Sequence, residues 1–144
     1  MLLKHNIAGG DFANAGNIAS SVKKVLRQLN IDHQISKRVV IALYEAEVNV
    51  VAHAWAGTAF VEIDTEKINI TIDDKGPGIA DVEKAMEEGF STASPHVREM
   101  GFGAGMGLSN MKKNSDKMVI TSKPGHGTKV ELTTFLNANA GKRA

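Results

Sequence analysis

The sequence predicts a single α/β domain, an α+β sandwich in which a mixed, mostly antiparallel sheet is covered on one face by helices. Two observations support this class. Strand-like segments follow one another through short polar turns, and two long amphipathic segments separate the first strand from the others. The chain has 144 residues, 42% of them hydrophobic, which suffices for one core. We predict one domain over residues 1–136 and a loose tail over 137–144.

Two helices are predicted between the first strand and the rest of the sheet. Residues 2–8, LLKHNIA, alternate as a strand does and end at Gly9 and Gly10. Asp11 is predicted to cap the first helix. The apolar face of that helix consists of Ile18, Val22, Val25 and Leu29. A second helix is predicted from about Ser36 to Ala54, with Gly57 ending it. Its apolar stripe consists of Val39, Leu43, Ala46 and Val50.

The remaining segments predict two hairpins and two shorter helices. FVEID and INITID, separated by the polar TEK, predict the first hairpin. IADVEKAMEE predicts a short amphipathic helix closed by Gly89, and residues 89–103 a long polar loop. A last helix is predicted over about 104–114. The strands KMVITS and TKVELTTF then pair around the turn KPGHG.

Composition excludes several classes of function. A net charge of +1 lacks the basic footprint of nucleic-acid binding and the charge that favours a membrane surface. The absence of cysteine excludes disulfides, thiol catalysis and a cysteine-ligated zinc site. The longest apolar run, VVIALY, is far too short to span a bilayer. We therefore predict a soluble, cytoplasmic protein with no direct nucleic-acid or membrane partner.

A glycine-rich stretch, REMGFGAGMGLSNMKK, precedes the last predicted helix. Its glycines occupy every second position at Gly101, Gly103, Gly105 and Gly107. The stretch matches neither the dinucleotide fingerprint G-x-G-x-x-G nor the P-loop. Glycines permit positive φ and close approach of a ligand, and the start of a helix offers unpaired N–H groups. The stretch predicts a phosphate site, with a flexible surface loop as the alternative.

Polar residues follow one ridge of the second predicted helix. Glu45, Asn49 and His53 have the spacing i, i+4, i+8, and their ridge borders the apolar stripe. The Asn49 oxygen is suited to Mg²⁺ together with phosphate oxygens and waters, and Glu45 to accepting a proton. Alternatively, both are ordinary polar residues at the edge of an amphipathic helix. For His53 we favour an edge or supporting position over metal ligation.

One strand ends in a carboxylate on its apolar face. In INITIDDKGPGI, Asp74 shares a face with Ile68, Ile70 and Ile72, while Asp73 points the opposite way. A carboxylate there needs a donor. The amino group of adenine is one, whereas guanine presents a carbonyl at that position. Gly76 and Gly78 would let a flat base pass the turn, although a plain strand-to-turn segment is the alternative.

Four motifs in order resemble one superfamily. EAEVNVVAHA is similar to the N box, DKGPG to the D-x-G-x-G box, GFGAGMGLSN to the glycine-rich lid box and GHGT to the last box of the GHKL, or Bergerat-type, ATP-binding fold. That superfamily contains gyrase, the chaperone Hsp90, histidine kinases and the repair protein MutL. The short length and GFSTAS most resemble bacterial anti-sigma factor serine/threonine kinases and related stress switch kinases.

The resemblance implies a role for each matching residue. Glu45 would be the general base and Asn49 the Mg²⁺ ligand. Asp74 would contact the adenine of ATP, with Thr128 nearby. The pocket and the phosphate cradle would be formed by Gly76, Gly78, Gly103, Gly105, Gly107 and Leu108.

The resemblance also implies partners and an activity. It implies a serine/threonine protein kinase that uses ATP and Mg²⁺ to phosphorylate a small STAS-type anti-anti-sigma protein, with a sigma factor as a second partner and a homodimer as the assembly. The alternative is a nucleotide-gated module that sequesters a partner without phosphoryl transfer.

Overall fold

The computed structural model describes residues 1–79, 86 and 107–137. Within those residues, one 3-10 turn (Phe12–Asn14) accompanies the regular elements. The strands are β1 (Leu2–Ala8), β2 (Ala56–Ile63), β3 (Lys67–Lys75), β4 (Lys117–Ser122) and β5 (Thr128–Phe135). The helices are α1 (Asn17–Gln28), α2 (His33–His53) and α3 (Gly107–Lys113).

The described strands form one sheet in the order β1-β2-β3-β5-β4. Each neighbouring pair is antiparallel, which confirms the predicted α+β class and both hairpins. The last of the described strands, β5, lies between β3 and β4, so the two hairpins join through β3 and β5. Asp73 is opposite Lys129 in this junction. The register therefore places the end of β3 beside the start of β5.

The helices and one face of the sheet enclose the core. Alternation along β3 buries Ile68, Ile70 and Ile72, as predicted. Helix α2 contacts β1, β2, β3 and β5 and packs against both α1 and α3. On the opposite sheet face, Lys4 lies 5.8 Å from the Phe60 ring centroid. Lys117 lies 5.4 Å from the Phe135 ring centroid, so basic side chains lie over aromatic rings on this second face.

The start of α1 differs from the prediction that Asp11 caps it. Asp11 precedes the 3-10 turn and makes no capping bond there; its carboxylate accepts from the Asn14 side chain instead. The cap of α1 is Gly16, with φ of 96°, and it has no side chain to offer. The predicted apolar face was also wrong at one position. Leu29 follows the helix and is exposed, whereas Leu26 is fully buried.

Helix α2 is longer than predicted at its start. It begins at His33 because the Asp32 carboxylate accepts from the amides of Gln34 and Ile35, at 3.1 and 3.2 Å. The prediction that Gly57 ends this helix was wrong, because Gly57 lies inside β2. A Cβ at Gly57 would come within 3.0 Å of Val50 Cγ1. The glycine therefore lets β2 pass close to the last turns of α2.

Several predicted segments lie outside the described residues. They include most of IADVEKAMEE, its terminator Gly89, the loop 89–103, the first residues of the helix predicted at 104–114, and the tail from residue 138 onward. In the described ranges, no helix is both long enough and apolar enough to cross a membrane.

Candidate functional site

Helix α3 contacts Glu45 of α2. Glu45 is half-buried, and its Oε1 accepts a hydrogen bond from Asn110 Nδ2 at 3.1 Å. A methyl group at Gly107 would lie 3.6 Å from the other oxygen, Oε2. Gly107, the first residue of α3, therefore lies beside Oε2. Asn110, about one turn later, binds Oε1. The structure thus confirms that Glu45 borders the core, and its role as a general base stays a prediction.

Asn49 lies one helical turn after Glu45 and is half-buried. No described residue forms a hydrogen bond with its carboxamide. In the described part of the chain, no three histidine or acidic side chains are grouped so that they could hold a metal ion. The sequence prediction has phosphate oxygens and waters as the other ligands of a Mg²⁺ ion at Asn49, the coordination that this ion prefers. The metal role of Asn49 stays a prediction.

Asp74 ends the buried face of β3 with 8% of its surface exposed. Its Oδ1 accepts a hydrogen bond from the Thr128 amide at 3.0 Å. No described residue donates to Oδ2. Burial raises the pKa of this carboxyl group, the neighbouring charge of Asp73 adds to the rise, and the Thr128 bond opposes it. One carboxylate oxygen is thus held by the protein, and the other suits an external donor such as an amino group.

The turn before β5 brings Thr128 to Asp74. The Thr128 and Ser122 hydroxyl oxygens lie 2.8 Å apart, and Ser122 Oγ also accepts from the Ile79 amide at 2.7 Å. Gly127 has φ of +86°, and a side chain there would overlap the carbonyl of Asp74. Only glycine lets the two backbones approach this closely. The result is a hydrogen-bonded connection between the residues after β3 and the β4–β5 hairpin.

The structure gives Gly76 and Gly78 packing contacts within the protein. Gly76 is buried, and a Cβ there would lie 3.0 Å from the Ala54 Cα at the end of α2. Gly78 has φ of +75°, and a Cβ there would overlap the Lys123 carbonyl. These contacts explain why both positions favour glycine. The adenine-pocket role of the two residues stays a prediction.

The described residues include part of the predicted phosphate cradle. Gly107 opens α3 beside Glu45, and Leu108 is buried in the core. Gly103 and Gly105 lie outside the described residues. The role of all four in phosphate binding stays a prediction.

Sequence reasoning missed Glu47. This residue is only 2% exposed, and its carboxylate accepts from the amides of Gly16, Ile18 and Ala19 at 2.9, 3.3 and 3.1 Å. It therefore supplies the N-terminal cap of α1 from another helix. A signal was present in the sequence, because Glu47 lies one turn after Leu43 and thus inside the apolar stripe of α2.

Sequence reasoning also missed Asn110 and Ser122. Asn110 lies between the buried residues Leu108 and Met111 on α3, so its half-burial was foreseeable, but its contact with Glu45 depends on how two helices pack. Ser122 alternates with Ile120 on the core side of β4.

On the ridge of α2, His53 is half-buried, and burial lowers its pKa.

The structure places the described candidates in two clusters along α2. Glu45, Gly107 and Asn110 form the first, and Asp74, Gly127 and Thr128 the second. Gly76 joins the second cluster to Ala54, nine residues after Glu45, which is about 13.5 Å along a helix axis. This spacing would allow an adenine base at the C-terminal end of α2 and phosphates beside the middle of the helix, near Glu45.

The sequence and the fold have counterparts in known proteins. Residues 34–138 match the family of histidine kinase-, DNA gyrase B- and HSP90-like ATPases. An anti-sigma F factor of Caldanaerobacter subterraneus is 37% identical over 68% of both chains. The serine/threonine-protein kinase RsbT of Bacillus subtilis is 29% identical over 79% of this chain and 83% of its own.

A crystal structure of the RsbU and RsbW domains of a Mycobacterium tuberculosis protein has the same fold. It superposes with a TM-score of 0.60 and 16% identity, covering 92% of this chain and 32% of that longer one. The family match spans most of this chain, and it includes both helices and all the strands that carry the described candidate residues. The chain therefore belongs to the family of histidine kinase-, DNA gyrase B- and HSP90-like ATPases.

Proposed function

We propose that this protein is an anti-sigma-type regulator that acts as a serine/threonine kinase on a small STAS-type antagonist protein. The observation that carries the proposal is the difference in surroundings between the two carboxylate oxygens of Glu45. One of its carboxylate oxygens accepts from Asn110, and the other lies beside Gly107, where the glycine-rich stretch enters α3. A base held next to a predicted phosphate site is what transfer to a hydroxyl group requires.

The chain fits ATP at the second cluster. Asp74 Oδ1 is already bonded to the Thr128 amide, so Oδ2 is left to accept from the adenine amino group. About one turn before the end of α2, the Asn49 carboxamide is available to a cation and its phosphate ligands. Mg²⁺ bound there would neutralise charge on the phosphates. The residues present therefore suit both the nucleotide and its metal.

The proposed reaction is an in-line transfer. The hydroxyl oxygen of a substrate serine or threonine forms a bond to the γ-phosphorus of ATP, and the bond from that phosphorus to the β,γ-bridging oxygen breaks. ADP leaves, and the hydroxyl proton moves to Glu45. Oε2 is the oxygen that accepts it, because Oε1 is engaged by Asn110. The products are ADP and a phosphorylated protein.

The relatives support the proposed partners. The Bacillus subtilis relative is a serine/threonine-protein kinase, and the Caldanaerobacter relative is an anti-sigma F factor. The first supports a kinase with a protein substrate, and the second supports a sigma factor as a further partner. The proposal includes assembly as a homodimer and a location in the cytoplasm.

The second candidate is a nucleotide-gated module that sequesters its partner without phosphorylating it. The anti-sigma relative favours it, because sequestration alone would account for that name. In this case ATP would set the shape of the binding surface, and Glu45 would have no chemical role.

Transfer of a labelled γ-phosphate separates the two candidates. We would incubate the purified protein with γ-labelled ATP, Mg²⁺ and fractionated lysate of the source organism, and in parallel use Glu45→Gln. An acid-stable label on one small protein, absent with Glu45→Gln, supports the kinase. No transfer by a preparation that binds ATP supports the sequestering module.

Calorimetry with Asn49→Ala tests the metal site in both cases. The variant should bind ATP more weakly in the presence of Mg²⁺ and equally well in its absence, because it removes a cation ligand. Equal affinity for Mg·ATP in the variant and the wild type would refute the assignment of Asn49.

A further inference from the structure

The contact between Asn110 and Glu45 connects two parts of the site that lie 65 residues apart in the chain. We infer that Asn110 is a positioning residue, which selects Glu45 Oε2 as the oxygen that takes the proton; this rests on the kinase proposed above. Asn110 would act only through Glu45, without touching ATP or the protein substrate.

The two oxygens of Glu45 have different surroundings. Oε1 lies 3.1 Å from Asn110 Nδ2, which is within hydrogen-bonding distance. Oε2 accepts from no described residue and faces the bare backbone of Gly107. A carboxylate bound at one oxygen cannot rotate freely about its terminal bond. The free oxygen is thus aimed at the start of α3, where the glycine-rich stretch ends.

The position of Asn110 is itself held by the protein. Leu108 and Met111 of α3 are buried in the core, so the helix is anchored on both sides of Asn110. The Asn110 carbonyl accepts from both the amide and the side chain of Asn114, at 3.1 and 2.9 Å. Its side chain therefore projects from a fixed backbone toward α2. This arrangement suits orientation of a base, because it limits the conformations available to Glu45.

Orientation of this kind has a measurable size. A general base contributes about 10²–10⁴-fold to a rate, and a displacement near 1 Å is enough to lose about 10²-fold. If Asn110 holds Oε2 in place, its removal should cost roughly 10- to 100-fold in the rate of transfer. Affinity for ATP should change less than about twofold, because Asn110 does not contact the nucleotide.

The first test compares Asn110→Ala with a matched control directly after the same helix. Asn114→Ala removes the same side-chain type one turn later, and the Asn110 carbonyl that this side chain bonds keeps the Asn114 backbone amide as a donor. We would measure the single-turnover rate of transfer and the Kd for ATP for each. We expect the loss of rate in Asn110→Ala alone, and partial recovery in Asn110→Gln, whose longer amide can still donate.

A double-mutant cycle distinguishes positioning from a purely structural role. In the Glu45→Gln background, Asn110→Ala should lower the residual rate no further, because the base it orients is gone. A loss of the same size in both backgrounds would overturn the inference, as would a fall in Tm large enough to account for it. Comparison of Asn110→Ala with wild type by thermal unfolding is therefore part of the experiment.

The outcome for the kinase proposal is read separately, from the wild type. If the wild type transfers phosphate and Asn110→Ala matches it within about twofold, only the role of Asn110 fails. If the wild type binds ATP but transfers nothing to any STAS-type protein or lysate fraction, the proposed kinase fails, and the positioning role fails with it.

Discussion

Helix α2 carries two glutamates two residues apart, and their surroundings differ completely. Glu47 faces α1, is 2% exposed and accepts three backbone amides. Glu45 faces α3, is half-buried and accepts one side-chain amide through a single oxygen. Both oxygens of Glu47 accept hydrogen bonds, whereas among the described residues only Oε1 of Glu45 does. Glu47 thus stabilises the start of α1, and Glu45 retains an oxygen for the proton transfer proposed above.

We expect the largest effect from Glu45→Gln. We expect phosphoryl transfer to fall about 10²–10⁴-fold, equivalent to about 3–5 kcal/mol of activation free energy, because the amide cannot accept the proton. The variant keeps an oxygen for Asn110, so its Tm should stay within about 2 °C of wild type. Rate and thermal unfolding measured on one preparation would check both. A large fall in Tm would mean that Glu45 is structural as well.

The reciprocal change, Glu47→Gln, should affect stability first. An amide group places one N–H₂ against backbone N–H donors, so at least one of the three bonds to α1 is lost within a buried site. We expect a loss of about 2–4 kcal/mol in the free energy of unfolding, and a Tm lower by roughly 6–12 °C. Urea unfolding measures this directly. Transfer below the new Tm should be close to wild type, and a loss like that of Glu45→Gln would undo the distinction between the two residues.

Among the described residues, Asp74 is bonded at one oxygen, like Glu45, but its proposed role is to bind adenine. In Asp74→Asn, the amide oxygen can keep the Thr128 bond, and the N–H₂ group then faces the adenine amino group. ATP affinity should fall about 10- to 100-fold, since a hydrogen bond to a charged acceptor is worth about 1.5–3 kcal/mol. Affinity for GTP should fall less or rise, because the guanine carbonyl can accept from the new donor. Competition binding with ATP and GTP tests this. Equal losses of affinity for the two nucleotides would count against a contact between Asp74 and adenine.

The smallest expected effect is a dependence on pH. Burial raises the pKa of Asp74, so its charged acceptor is lost at a higher pH than for an exposed aspartate. As the pH is lowered from about 7 to 5, the ATP affinity of the wild type should therefore weaken a few-fold more than that of Asp74→Asn.

The stability of the nucleotide-free protein should depend on pH in the opposite direction. A raised folded pKa contributes stability below the unfolded value, and this contribution is lost as the pH rises through the folded pKa. At neutral pH, Asp74→Asn should thus not lower the Tm.

Much of the fold was predictable because its patterns are local. The alternation that buries Ile68, Ile70 and Ile72 and ends at Asp74 follows from the period of a strand, and the structure confirms it. The ridge with Glu45 and Asn49 follows in the same way from the period of a helix. Each of these predictions needs only the spacing of residues within one segment.

The errors came where two segments meet. Asp11 has the right chemistry for a helix cap, yet the donors at the start of α1 go to Glu47, 31 residues from Gly16. Gly57 has the composition of a terminator, yet it serves the approach of β2 to Val50. The Asn110 contact with Glu45 spans an interface between helices for the same reason. Such contacts depend on tertiary packing, which periodicity within a segment does not contain.

The position of β5 between β3 and β4 has a consequence for the order in which the site is assembled. Asp74 leaves the ribosome 54 residues before Thr128, its donor, and β4 has no neighbour in the sheet until β5 has been made. Until then β3 is an edge strand that exposes its unpaired backbone groups. The nascent chain thus holds the helix that carries Glu45 and Asn49 well before it holds a nucleotide site. We expect nucleotides to begin to protect the growing chain only once Phe135 has been translated and β5 is free to insert.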